Sequence, residues 1–385
     1  MSTKKLKRYY DFNGIYEAGK AANCGTLGIA GQKSNGKTYG ALKKGIRLYL
    51  GIENPEYKGR IIRYARRHKE TIKRNNLISL FKQQMKWIEA ETDGKFNDYT
   101  MNGSRFYFCN RDKETGKILY KEPSPFCVCN ALSTWENDSG ADEGEAGIII
   151  YDEAISREKA LPDEFTILMK YRSNCMRDRT DYYCPVVLIG NTVTRDCKIL
   201  EHFGVNLWEL REEDKGKIQY ILNRKKEVNF IFEWCGKAGI TEEIAEYYNR
   251  FETDKTKMIT DGVFEVGEYK TMSREKSVIG TEPILKVAFI TKNFKLLAQY
   301  LQYTESGDIF IYITKEEHVD DCELYINPDA KTCNGNMLNY FDNKAACVFR
   351  DLYSTDNILF ETPFVGDMYR SFAQCCIGLS SCVPD

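Results

Sequence analysis

Short apolar runs recur through the first half of the chain. They stand at 26–30, 59–65, 147–151 and 185–190, each bounded by Gly, Pro or charged residues. Runs of that length predict strands buried on both faces, as in a parallel sheet covered by helices. Between them the apolar period lengthens. Leu42, Ile46, Tyr49 and Leu50 share one helical face, and Gly51 and Pro55 break it. Ile72, Leu77, Leu80, Phe81, Met85 and Ile88 share the face of a second helix. From 97 to 133 the pattern shortens. Asn102-Gly103 and Thr115-Gly116 mark turns, and the runs at 105–109, 118–120 and 126–130 read as a β-meander inserted into the α/β domain.

Past Trp208 the chain becomes charged. Over 210–260 the clearest signal is a helix opened by Thr241 as N-cap, with Glu242 and Glu243 in its first turn, running to Phe251. From about 273 strands return at 284–290, 309–314 and 323–326, with helices near 336–343 and 365–376. The expected organisation is an α/β domain over 1–209, a helical linker over 210–272, and a small α+β domain over 273–385.

The chemistry begins at the end of the first run. Residues 31–38 read Gly31-Gln32-Lys33-Ser34-Asn35-Gly36-Lys37-Thr38, the pattern G-x-x-x-x-G-K-[ST], after a predicted strand and before a predicted helix. In that context Gly31 and Gly36 let the backbone curl so that successive N–H groups face phosphate oxygens. Lys37 would reach the β- and γ-phosphates, and the Thr38 hydroxyl would take a Mg²⁺ position. The bland alternative is a glycine-containing surface turn before a helix. About 115 residues later, four apolar residues end in Asp152-Glu153. A buried parallel strand delivers such acids to its C-terminal edge, Asp152 to hold the metal and Glu153 to polarise an attacking water. A glutamate directly after the aspartate marks the additional-strand class of P-loop ATPases. Asn191 closes the next strand, either as a γ-phosphate sensor or as a turn residue.

Composition narrows the classes. The 385 residues suit two domains, and no apolar stretch approaches a membrane span. The basic N-terminus lacks the apolar segment of a signal peptide, so a soluble cytoplasmic protein is expected. None of the 14 cysteines forms a C-x-x-C pair, which favours buried free thiols over zinc. Residues 1–75 carry 18 Lys/Arg against five Asp/Glu, whereas 300–385 carry five against 14. A polyanion would meet the front of the chain, although a triphosphate site alone also accounts for a basic front.

The ordered set of motifs resembles the DNA-packaging ATPases of small short-tailed phages of the Picovirinae type, relatives of large terminase subunits and hexameric DNA pumps. The segments that carry the likeness are 29–39, Arg66-Arg67-His68-Lys69, 132–135, 149–153 with Arg157-Glu158-Lys159 behind, Arg177-Asp178-Arg179, and 188–191. The resemblance implies a ring of five subunits on the portal of an empty capsid in the host cytoplasm, absent from the mature virion. It implies active sites between neighbours that bind ATP and Mg²⁺, with double-stranded DNA as the cargo. It makes Arg177 the arginine that reaches into the neighbouring site, with Lys69 a second candidate in trans. Arg66, Arg67 and Arg179 are further trans or DNA-contact candidates. Lys33 matches a basic loop position that is usually arginine in the family, and lysine lacks the planar fork. The C-terminal domain would resemble a ribonuclease-H-type nuclease without its metal site, because 286–292 holds no acid. Nuclease activity is therefore expected to be absent. Some relatives dock this domain on a structural RNA, against which the acidic balance of 300–385 speaks here. Two alternatives stay open: a P-loop module switched by nucleotide, and a conjugative or chromosome-type DNA pump.

Overall fold

The computed structural model describes residues 9–135, 145–156, 160–176, 182–236, 264, 267–327 and 357–375. The chain divides into two compact units, Met1–Glu265 and Val266–Asp385.

The first unit is a mixed α/β domain around a central, mostly parallel sheet with the layout of a P-loop ATPase. Its strands are β1 (Thr26–Gly31), β2 (Ile61–Arg66), β3 (Asp98–Asn102), β4 (Arg105–Arg111), β5 (Ile118–Lys121), β6 (Cys127–Ala131), β7 (Ala146–Asp152), β8 (Val186–Asn191), β9 (Ile218–Leu222) and β10 (Val228–Trp234). Their order is β3-β4-β6-β2-β7-β8-β1-β10-β9, with β5 paired to β4. The six strands from β6 to β10 are parallel, and the antiparallel hairpins stand outside them. One strand, β8, separates β1 from β7, as the additional-strand class predicts.

Every residue of β1, β6 and β7 is buried. Alternate side chains enter opposite layers, as the pleat requires. Leu27, Ile29, Ile148 and Ile150 join one core with α1 (Asn13–Ala21) and α2 (Lys37–Tyr49). Ala30, Ile149 and Tyr151 join the other, with Leu168, Tyr171 and Cys175 of the helix Glu164–Met176. Close packing sets one residue on α2. A Cβ on Gly45 would stand 2.6 Å from Ile62 Cγ1 and 2.9 Å from Ile148 Cγ2, so glycine lets the helix lie down on the sheet.

Three expectations are corrected. Residues 218–234, inside the stretch read as helical linker, form the hairpin β9–β10, and β10 completes the far side of β1. The reason is hydrophobic: Phe230, Ile231 and Phe232 are fully buried in the sheet. The expected helix over 72–88 is broken into the pieces Lys69–Ile72, Arg74–Leu77 and Met85–Glu91, while Leu77, Phe81 and Ile88 still reach the core. In the second unit the strands Lys295–Tyr303 and Ile358–Phe360 are additional to the expected ones. The helix expected at 241–251 and the one near 336–343 lie outside the described residues.

The second unit holds β11 (Thr281–Ile290), β12 (Lys295–Tyr303), β13 (Ile309–Glu316), β14 (Leu324–Ile326) and β15 (Ile358–Phe360), ordered β14-β11-β12-β13-β15. Strands β11 to β13 are an antiparallel meander, flanked by β14 parallel to β11 and β15 parallel to β13. The helix Pro363–Cys375 buries Val365, Met368, Tyr369 and Phe372, a 3-4 spacing that makes one face, and Phe372 packs 4.6 Å from Phe289.

Candidate active site

Parallel strands deliver their last residues to one edge of a sheet, and here that edge gathers the motifs. Gly31 of β1 pairs with Asn191 of β8, Ile189 of β8 pairs with Asp152 of β7, and Ala65 of β2 pairs with Tyr151. Chain segments more than a hundred residues apart thus end side by side, where open α/β sheets bind ligands.

The loop after β1 carries two left-handed residues, Ser34 (φ 64°) and Gly36 (φ 95°). Gly36 is the N-cap of α2, so the loop hands directly to a helix N-terminus. Successive amides in such a curl make an anion-binding concavity. Lys33 and Ser34 are exposed, whereas Gln32, Asn35 and Lys37 are buried. The Lys37 ammonium folds into its own loop. It donates to the Gly31 carbonyl at 3.0 Å, to the Gln32 carbonyl, to Asn35 Oδ1 at 3.3 Å and to Asn191 Oδ1 at 3.3 Å. Four oxygens stand where phosphate oxygens would compete for the same donors.

Burial pushes Lys37 down to about 8, with Cys235 and Asp152 acting the other way. Below pH 8 the folded chain keeps a charged amine out of water. Between about 8 and the ordinary 10.5 the folded chain has lost that proton while the unfolded chain retains it. Stability contributed through this group therefore rises with pH across that window. The wild type should gain on the order of 2 kcal/mol relative to Lys37→Met between pH 7.5 and 10. Urea midpoints of both proteins across that range check it, and a constant difference would contradict it.

The acidic pair sits opposite. Asp152 Oδ1 accepts from the Thr38 hydroxyl at 3.1 Å. Its Oδ2 accepts from the Tyr64 phenol at 2.6 Å and lies 3.5 Å from Arg66 Nη2. The same Arg66 nitrogen is 3.4 Å from Glu153 Oε1, and Arg66 Nε donates to Tyr64 Oη at 3.0 Å. Burial opposes charge on Arg66, but Tyr64, Asp152 and Glu153 outweigh it, and its pKa is raised. Burial first, then the Asp152 carboxylate, lifts the Tyr64 phenol well above its ordinary value, so it remains a donor. Glu153 leaves the strand in the left-handed region (φ 62°), and the next amide, of Ala154, is tied to the Ile189 carbonyl at 2.8 Å. A non-glycine residue in that region stores strain of about 1–3 kcal/mol, held here by the buried strand beneath it. The Glu153 side chain stays about 43% exposed, open to water.

Lys37, Thr38, Asp152, Glu153 and Asn191 are thus brought together. Two candidates, Arg66 and Arg67, make contacts within their own chain. Arg66 turns to the acidic pair of its own chain. Arg67 is buried against Glu164, with Nε–Oε2 and Nη2–Oε1 both 3.0 Å, and it also donates to the Ala154 carbonyl. The Arg67 side chain is 6% exposed. Lys69 is exposed on a short 3-10 turn. Arg177 and Arg179 lie outside the described residues, as do Arg157, Glu158 and Lys159. Tyr64 and Glu164 were absent from the expected set. A period-two reading finds the first, because Tyr64 and Arg66 share one face of β2.

Among the described residues no helix is long and apolar enough to cross a membrane. No family model and no curated protein matches the sequence. Solved structures do resemble it. A chain of the bacteriophage Phi-29 viral genome packaging motor assembly superposes with a TM-score of 0.57 at 13% identity, covering 96% of this chain and 99% of that one. The Phi-28 DNA packaging motor gives 0.49 at 15% identity over 95% and 97% of the two chains. The large terminase of bacteriophage HK97 gives 0.36 at 11% identity over 78% and 60%. At these identities the Phi-29 match is a likeness of fold, and it extends over nearly the whole length of both chains.

Proposed function

We propose that this chain hydrolyses ATP to drive double-stranded DNA through the portal of a preformed capsid, as a ring of five identical subunits in the host cytoplasm. One observation carries the reading: Thr38 and Asp152 share a hydrogen bond of 3.1 Å beside a buried Lys37, at the C-terminal edge of a parallel sheet. The whole-length likeness of fold to a chain of the Phi-29 genome packaging motor supports the choice of cargo and assembly.

The donor set suits Mg²⁺. A hydroxyl and a carboxylate are hard oxygen ligands, and Mg²⁺ takes few protein ligands beside substrate phosphates and water. Thr38 and Asp152 would hold the ion, which would supply charge neutralisation to the phosphates. The loop amides of 32–38 orient the phosphates. Lys37 exchanges its loop carbonyls for phosphate oxygens. Glu153 orients a water in line with the γ-phosphorus and accepts its proton, and Asn191 reports the γ-phosphate. Arg177 enters from the neighbouring subunit to stabilise charge on the transferring phosphoryl, with Lys69, exposed beyond β2, as the second basic group in trans.

The remaining assignments follow the same reading. The ATPase part runs to the end of the β9–β10 hairpin, and the second unit is a nuclease-like fold without a working metal site. Its first strand carries Val287, Ala288, Phe289 and Ile290 in succession. No RNA contact is assigned to it.

The translocase reading predicts that double-stranded DNA of any sequence stimulates ATP turnover. The apparent DNA affinity should fall steeply with salt, log against log, with a slope of about −0.9 for each phosphate contacted. Turnover indifferent to DNA would instead favour a nucleotide-switched module.

A further inference from the structure

Beside Asp152 stands one buried group that no step of the proposed reaction uses. Tyr64 is the fourth residue of β2 and is fully buried. It pairs with Ile150 of β7, so the two side chains share a face of the sheet, and Asp152 lies two residues further along that face. The step is a rise of about 6.6 Å. The phenol spans it and donates to Asp152 Oδ2 at 2.6 Å. Arg66 Nε, 3.0 Å from Tyr64 Oη, can only donate. The hydroxyl oxygen therefore accepts from Arg66, and its single proton is left for Asp152.

The two oxygens of Asp152 are thereby made unequal. Oδ2 is held by the phenol and lies 3.5 Å from Arg66 Nη2. Oδ1 faces the Thr38 hydroxyl at 3.1 Å, the other hard oxygen of the site. A hydrogen bond to one oxygen of a ligating carboxylate fixes its orientation, and such supports are worth about 10–100-fold in metal affinity. It also removes that oxygen from bidentate coordination. The consequence differs between cations. Mg²⁺ demands near-octahedral geometry and uses few carboxylates beside waters and phosphates, so one fixed oxygen suits it. Ca²⁺ gathers about six to eight oxygens and takes carboxylates through one oxygen or both. An Asp152 held on one side offers Ca²⁺ one oxygen fewer.

We propose that Tyr64 is a positioning residue that selects Mg²⁺ over Ca²⁺ at the phosphate site, holding Asp152 Oδ2 so that Oδ1 alone serves the ion or its water. The proposal rests on the phosphate-loop reading and adds to it what sets the choice of cation. Tyr64 touches neither nucleotide nor metal; it acts through Asp152. Arg66 shares in this, because its Nε fixes the direction in which the phenol donates.

Calorimetry with ADP on the full chain, in EDTA, in Mg²⁺ and in Ca²⁺, tests this without turnover. In the wild type Mg²⁺ should strengthen ADP, and more than Ca²⁺ does. Tyr64→Phe keeps the ring and loses only the hydroxyl. The gain in ADP affinity from Mg²⁺ should then fall about 10–100-fold, while affinity in EDTA and the gain from Ca²⁺ keep their wild-type values. A merely structural role would lower affinity in all three conditions alike. That result, or an unchanged gain from Mg²⁺, would overturn the proposal. A wild type in which Ca²⁺ strengthens ADP as much as Mg²⁺ would also overturn it, with no variant needed and the phosphate loop left in place. A wild type that binds no ADP under any of the three conditions would remove the phosphate-loop reading itself.

Discussion

Glu153→Gln should leave ATP bound and unhydrolysed. The substitution keeps the size of the side chain and its place after β7, and removes the negative charge and with it the capacity to take a proton. General-base catalysis of this kind is worth about 10²–10⁴ in rate, and turnover should fall by that factor. ATP affinity should not fall, because Lys37, Thr38 and Asp152 are untouched. Single-turnover hydrolysis and equilibrium binding on the same preparation separate the two quantities. Normal turnover in the variant would remove Glu153 from the chemistry.

Arg67→Ala should be destabilising rather than inactivating. The guanidinium fork satisfies both oxygens of Glu164, and each side chain is 6% exposed or less. Removing one partner leaves a carboxylate buried with only the Tyr151 phenol and the Leu161 amide for company. Breaking a buried pair in this way costs about 3–5 kcal/mol. The paired change Arg67→Met with Glu164→Gln should recover much of that loss, since the amide still accepts a hydrogen bond and carries no charge. A double-mutant cycle on urea midpoints measures the coupling. If Arg67→Ala were neutral in stability and instead abolished DNA binding, the buried fork would be the wrong description of this residue.

Much of the sheet could be read from the chain because parallel strands covered on both faces have to be apolar throughout. The runs at β1, β2, β7 and β8 announce themselves for that reason, and the meander does so through its Asn-Gly and Thr-Gly turns. The β9–β10 hairpin was less legible. Its apolar core, Phe230 to Phe232, sits in a charged stretch whose composition suggests a solvated linker. The 72–88 segment misled in the opposite sense: helical spacing of buried residues survives when turns replace part of the helix. For the site, local motifs identified the loop and the acids. They could not show that Tyr64 and Arg66 complete the surroundings of Asp152, because that follows from strand register. Nor could they show Arg67 turning inward, since Glu164 lies 97 residues away at the start of the helix Glu164–Met176.

The position of β10 also governs how the molecule can be made. The loop strand β1 is flanked by β8 and β10, so one neighbour is supplied near residue 190 and the other near 230. On a ribosome, the glycine-rich turn emerges about 10–40 s before the strand that closes its second side, at 5–20 residues per second. Until then the oldest part of the nascent chain carries an uncovered parallel edge and an unfinished phosphate cradle. The strand that carries the loop is therefore complete on both sides only after the hairpin has docked.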